Sequence, residues 1–155
     1  MDTKRRVFFS FHFDDDIFRV NLVRKMGILS KDQIVHASRM EKVERKENNA
    51  IKKWIKDTMH PCSCVAVLVG SRTATSKWVK YEIEQAIHSS KGLFGFYIHG
   101  LKDIGGKTSR RGKNPLPYGY DCHDMGFLEV MPGCTPYNWI QHNLSDWVEN
   151  AIDER

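Results

Sequence analysis

The sequence lacks any hydrophobic segment long enough to cross a bilayer. Its longest aliphatic run is Val65-Ala-Val-Leu-Val69, far short of the ~20 residues that a spanning helix needs. The opening residues MDTKRRVFFSF are basic but carry no apolar core ending in small residues. Neither a secretory signal nor a membrane partner is therefore expected. Cysteine is sparse, at positions 62, 64, 122 and 134. Cys62-Ser-Cys64 lacks the two-residue gap of a zinc knuckle, and Cys122-His123 has no second half. Free or buried thiols in a reducing cytoplasm are the expectation, with no metal site.

Other absences narrow the chemistry. Gly105-Gly-Lys-Thr108 lacks the upstream glycine of a phosphate loop. Asp14-Asp15-Asp16 invites comparison with a phosphorylated receiver domain, but the central strand ends in Val69-Gly70-Ser71, without the required carboxylate. The triplet is read instead as helix-capping. Ser10, His12 and Ser71 have no sequence-visible companions for nucleophilic catalysis. No basic stripe with interleaved aromatics is present, which argues against a nucleic-acid partner. The formal charge of +5 permits an anionic ligand, but an excess of this size ordinarily serves solubility.

What is present is a folded-domain composition. The 155 residues are 41% hydrophobic and 28% charged, which suits one domain spanning 1–155. Arg6–His12 is rich in strand formers, and Ile17 to Met26 has helical spacing ended by Gly27. Gln33–Ala37 is a short strand candidate, and Ser38–Glu47 a long charged loop. Helical spacing returns at Ala50 to Met59 and stops at His60-Pro61. Ser63–Val69 reads as a central strand covered on both faces. A polar turn, Gly70–Ser76, leads into a helix, and Leu93–His99 is a further strand. Lys107, Arg110, Arg111 and Lys113 then fall in a loop, Gly100–Asn114, read as mobile and solvated. Phe127–Met131 is a last strand candidate, and Trp139–Ile152 a closing amphipathic helix. Alternating strands and helices imply an α/β, mostly parallel central sheet with helices on both faces. Ligands in such folds sit beyond the carboxyl ends of the strands.

The segment KWVKYEIEQAIH, residues 77–88, holds two glutamates that are not equivalent. At ~100° per residue, Trp78, Val79, Ile83, Ala86 and Ile87 fill one arc of the helix. Glu82 falls inside that arc, at about 140° from Lys77, whereas Glu84 falls at about 340°, as an i,i+4 partner of Lys80. A carboxylate on an apolar face is costly unless something pairs with it. Periodicity alone leaves two readings of Glu82 open, a structural partner or a ligand-lining carboxylate.

Arg6-Val-Phe-Phe-Ser-Phe-His-Phe-Asp14 resembles the first strand and loop of TIR-like domains. Trp78-Val-Lys-Tyr-Glu-Ile83, entered from Gly70-Ser-Arg-Thr73, resembles the segment carrying their glutamate. Together with Lys91–His99, these stretches resemble the TIR proteins of bacterial Thoeris anti-phage systems, the ThsB family, over about residues 5–103. The resemblance implies a flavodoxin-like TIR fold acting on NAD as substrate, with no permanently bound cofactor. It implies cleavage of the nicotinamide–ribose bond and release of a cyclic or modified ADP-ribose. That signal would activate a separate effector protein, with a phage component as trigger. Glu82 matches the family's catalytic glutamate and Glu84 does not. The implied substrate-binding residues are Ser10, Phe11, His12, Phe13, Asp14, Ser71 and Trp78; Phe11 or Phe13 offers a ring to stack on, and either suits the core at least as well. The second loop, Ser38–Glu47, lacks the usual glycine-containing pattern of animal TIR enzymes, which leaves assembly into a homo-oligomer open. The rival reading is a non-catalytic TIR-like module that recruits a partner protein.

Overall fold

A computed structural model describes residues 5–26, 47–125 and 133–155. Four strands form one sheet: β1 (Val7–Ser10), β2 (Cys64–Val69), β3 (Gly92–Tyr97) and β4 (Cys122–His123). Their order in space is β1-β2-β3-β4, and every pairing is parallel. Four α-helices are described, α1 (Phe13–Lys25), α2 (Asn48–Met59), α3 (Lys77–His88) and α4 (Pro136–Asp153), with one 3-10 turn at Thr73–Thr75. The parallel α/β layout is that of the flavodoxin-like TIR fold expected above.

Strand β2 is buried at all six positions, which is why its sequence is continuously apolar rather than alternating. Side-chain alternation assigns the two layers. Phe9, Phe11, Ala66, Leu68, Phe94 and Phe96 join Val20 of α1 and Leu144 of α4 in one core. Phe8, Val65, Val67, Val69 and Tyr97 join Ile51 and Ile55 of α2 and Val79 and Ile83 of α3 in the other. Helices start where their caps dictate. The Ser76 hydroxyl accepts the Val79 amide 3.3 Å away and opens α3. Thr135, followed by Pro136, opens α4 in the same way.

Several expectations are corrected. His12, not the aspartate triplet, caps α1: its Nδ1 accepts the Asp15 amide at 3.4 Å, and Asp14–Asp16 occupy the first turn. Carboxylates there still favour the positive end of the helix dipole. Ile87, placed on the apolar arc, is 40% exposed. Strand β4 was not expected from sequence; at two residues it is too short to leave a pattern. The Gly100–Asn114 loop is tethered rather than free. Asp103 Oδ1 accepts the Gly105 and Lys107 amides, the Ser109 amide reaches the His99 carbonyl, and Arg111 bonds Asp124 while lying over Tyr97. The candidate strands Gln33–Ala37 and Phe127–Met131, Gly27, and Ser38–Lys46 of the second loop lie outside the described residues. None of the four cysteines forms a disulfide, and burial pushes the Cys64 and Cys122 thiols up to about 12, where they are unreactive. No helix among the described residues is long and apolar enough to cross a membrane.

Candidate active site at the carboxyl edge of the sheet

Ser10 ends β1 and shares its face with Phe8, the face covered by α2 and α3. That parity turns its side chain toward α3. The Ser10 hydroxyl donates to Glu82 Oε1 across 3.0 Å, and the serine is fully buried. Glu82 is 2% exposed, inside the apolar arc as the helical period required. Its second oxygen, Oε2, has no hydrogen-bond partner among the described residues. Burial raises its pKa from 4.5 to about 8, with the Ser10 hydrogen bond pulling the other way. No cation contributes to that balance. Glu84 is exposed, and it forms no ion pair with Lys80 among the described residues.

The same edge holds a second buried carboxylate. Asp16 is fully buried and leaves both oxygens without hydrogen bonds among the described residues. It lies so close to Gly70 that a Cβ there would sit 2.1 Å from Oδ2. Only glycine fits at position 70. Burial raises Asp16 to about 6, opposed chiefly by the charge of Arg19, whose Nη1 stands 3.6 Å from Oδ1. Arg19 itself is buried and donates to the carbonyls of Leu101 and Lys107, at 2.8 and 3.0 Å. One guanidinium thus joins α1 to the loop after β3.

The turn after β2 is fixed from both sides. Thr73 Oγ1 accepts the Gly70 amide at 2.7 Å and donates to the Leu68 carbonyl. Arg72 grips Asp15 of α1 through two bonds of 2.6 and 2.7 Å, which holds the Asp15 carboxyl below its ordinary range. The Gly112 backbone closes on the carbonyls of Gly70 and Ser71 so tightly that a Cβ there would overlap them. The end of β2, the first turn of α1 and the loop after β3 are therefore held together at the carboxyl edge of the sheet.

The residues expected to contact a ligand separate into two groups. Ser10 and Glu82 touch, and Trp78, one turn before Glu82, is buried on the same side of the sheet, edge-to-face with Tyr81. Phe11 is instead a core residue of the opposite layer, 3% exposed, and Phe13 packs against that same layer. Strand alternation explains the correction: Ser10 and Phe11 are neighbours and must face opposite ways. His12 has its side chain engaged in the cap, Asp14 is exposed, and Ser71 is half-buried in the turn. From sequence Asp16 was read only as part of a helix-capping triplet and Gly70 and Thr73 only as part of a turn, while Arg19 was not singled out. The i,i+3 spacing of Asp16 and Arg19 was their one visible signal. Among the described residues no cluster of His, Cys, Asp or Glu is placed to hold a metal ion.

Comparison with known proteins fits this arrangement. The family model described as "Thoeris protein ThsB, TIR-like domain" matches residues 8–103, which include all of β1 but Val7, the Gly70–Ser76 turn and all of α3. A protein of Bacillus cereus (strain MSX-D12), "Putative cyclic ADP-D-ribose synthase ThsB1", is 37% identical over 155 residues. The match covers 96% of this chain and 81% of that protein. The chain belongs to the ThsB family of Thoeris TIR-like domain proteins.

Proposed function

We propose that this chain, acting over residues 1–155 as a single TIR-like domain, uses NAD to make a cyclic ADP-ribose signal in anti-phage defence. The observation that carries the proposal is Glu82, a buried carboxylate with one oxygen held by Ser10 and, among the described residues, one oxygen without a hydrogen bond and no cation contributing to its pKa. Such a group favours whatever brings positive charge to it. NAD brings a pyridinium, and that charge passes to the ribose as the bond breaks.

The glycosidic electron pair leaves with the nicotinamide nitrogen, which departs neutral and needs no acid. The ribose carbon is left as an oxocarbenium ion, which the Glu82 carboxylate stabilises far better in a desolvated site than in water. A lone pair from the same molecule then attacks that carbon and closes the ring. The attacking group gives up one proton, and a carboxylate whose pKa lies near neutrality is suited to accept it. NAD thus yields nicotinamide, cyclic ADP-ribose and a proton; attack by water instead yields ADP-ribose. Glu82 is the catalytic residue and Ser10 its positioning partner. Trp78 and Ser71 line the approach, while Phe11 is removed from it by its place in the core.

In this reading the product activates a separate effector, production awaits a phage component, and the chain works in the cytoplasm. The test is to incubate extracts of phage-infected cells with NAD and follow nicotinamide and cyclic product by mass spectrometry. Both are expected with the wild-type chain and neither with Glu82→Gln. Product formation by Glu82→Gln would overturn the assignment. An extract in which neither chain acts on NAD, although both are present and folded, would favour a partner-recruiting module.

A further inference from the structure

Ser10 and Glu82 are shut away from solvent, at 0% and 2% exposed, so no ligand reaches them without a movement. The topology points to where. β1 and β2 are parallel neighbours, yet the helices that follow them diverge: Val20 of α1 packs in one layer and Val79 of α3 in the other. Such a divergence leaves a crevice between the carboxyl ends of the two strands, the usual ligand entrance of an open α/β sheet. Ser10 ends β1 and so stands at its mouth. One ion pair spans this crevice. Arg72, three residues beyond β2, donates from Nε and Nη2 to the two carboxylate oxygens of Asp15, five residues beyond β1. The other fastenings of this edge are buried: Thr73 and Arg19 are hidden from water, and Gly112 meets Gly70 and Ser71 backbone to backbone. The Arg72 side chain, by contrast, is 60% exposed, and that of Asp15 22%. An ion pair in contact with water is weak and is screened by salt. It is the fastening that opens most readily.

We propose that the Arg72–Asp15 pair is a latch across this crevice: closed, it keeps substrate from Ser10 and Glu82, and opened, it admits one. What the latch admits rests on the reading of Glu82 given above; the closure itself does not. The two charges belong to different strand–helix units, so breaking the pair frees the first turn of α1 from the turn after β2. A resting state follows, in which the machinery is assembled but out of reach. The latch also has a sign. Removing the pair speeds access at the crevice alone, whereas removing a merely stabilising contact loosens the whole fold or changes nothing.

The test reads access without turnover. Ser10→Cys places a thiol in the crevice, and its alkylation by N-ethylmaleimide, a neutral reagent, is followed by mass spectrometry of the digested chain. Adding Arg72→Gln or Asp15→Asn is expected to speed alkylation at position 10 about fivefold. Rising salt is expected to speed it in the chain that keeps the pair and not in those two variants. Exchanging the charges, Asp15→Arg with Arg72→Asp, is expected to restore slow alkylation in part. Cys64, buried in β2, is the internal control, and its rate stays the same when only the crevice opens. Equal rates at position 10 with and without the pair overturn the latch, as does a rise at Cys64 that keeps step with position 10. Nicotinamide release by chains that retain Ser10, in extracts of infected cells, separates the latch from the reading of Glu82. Faster alkylation with no release supports the latch and counts against that reading; unchanged alkylation with release intact does the reverse.

Discussion

Two buried carboxylates stand at the same edge of the sheet, and they differ in whether a cation stands beside them. Asp16 has a cation: Arg19 is 3.6 Å away, and its charge holds the rise in pKa to about 6. Glu82 has only a hydroxyl, and its pKa rises to about 8. The first is a closed arrangement, a charge pair whose arginine also fastens two backbone carbonyls. The second is an open one, a carboxylate without its counter-charge. A folded protein tolerates such a deficit where function requires it, because a cationic substrate supplies the missing charge. On this contrast we propose that Glu82 carries the chemistry and Asp16 the architecture.

The largest expected effect separates them directly. Glu82→Gln keeps the shape and the Ser10 hydrogen bond but cannot hold a negative charge, so turnover is expected to fall on the order of 1,000-fold. Initial rates of nicotinamide release on equal amounts of folded protein measure this. Gly70→Ala attacks the other region. Its Cβ would overlap the Asp16 carboxylate, and a loss of about 3 kcal/mol is expected from denaturant unfolding. Asp16→Gly in the same chain should recover part of that loss; no recovery would mean that the contact is not the cause.

The raised pKa of Glu82 makes two pH predictions. Between its unfolded value of 4.5 and its folded value of about 8, the native state holds a proton that the unfolded state has released. The Glu82 contribution to stability is thus fully present below pH 4.5 and is lost as pH rises through about 8. Glu82→Gln should therefore unfold at higher denaturant than the wild type above pH 8, by up to roughly 5 kcal/mol, with the gap closing toward pH 4.5. An equal difference at both pH values would contradict the burial argument. In turnover, the free enzyme needs the carboxylate, so kcat/KM should climb with pH and level off above about 8. The smallest effect belongs to Glu84→Gln. That side chain is exposed and unpaired with Lys80, so kcat is expected to stay within about twofold.

How much of this the sequence disclosed depends on the kind of signal. The burial of Glu82 and the exposure of Glu84 were legible because both follow from the 3.6-residue period within one helix. Strand β2 was legible because it is covered on both faces. The partnership of Ser10 with Glu82 joins residues 72 positions apart and has no periodic trace. The place of Phe11 in the opposite core follows from strand parity, which a motif match does not carry. The pairing of Asp16 with Gly70 was invisible for a related reason: a glycine required by a close approach looks the same in sequence as one required by a turn.

The most direct test of the contrast sets Glu82→Gln beside Asp16→Asn in one assay. Nicotinamide release from NAD would be followed in extracts of infected cells carrying each folded variant at matched concentration. The account predicts loss on the order of 1,000-fold for Glu82→Gln and retention within about threefold for Asp16→Asn. Comparable losses in both, or the reverse order, would contradict the assignment of chemistry to the carboxylate that lacks a cation.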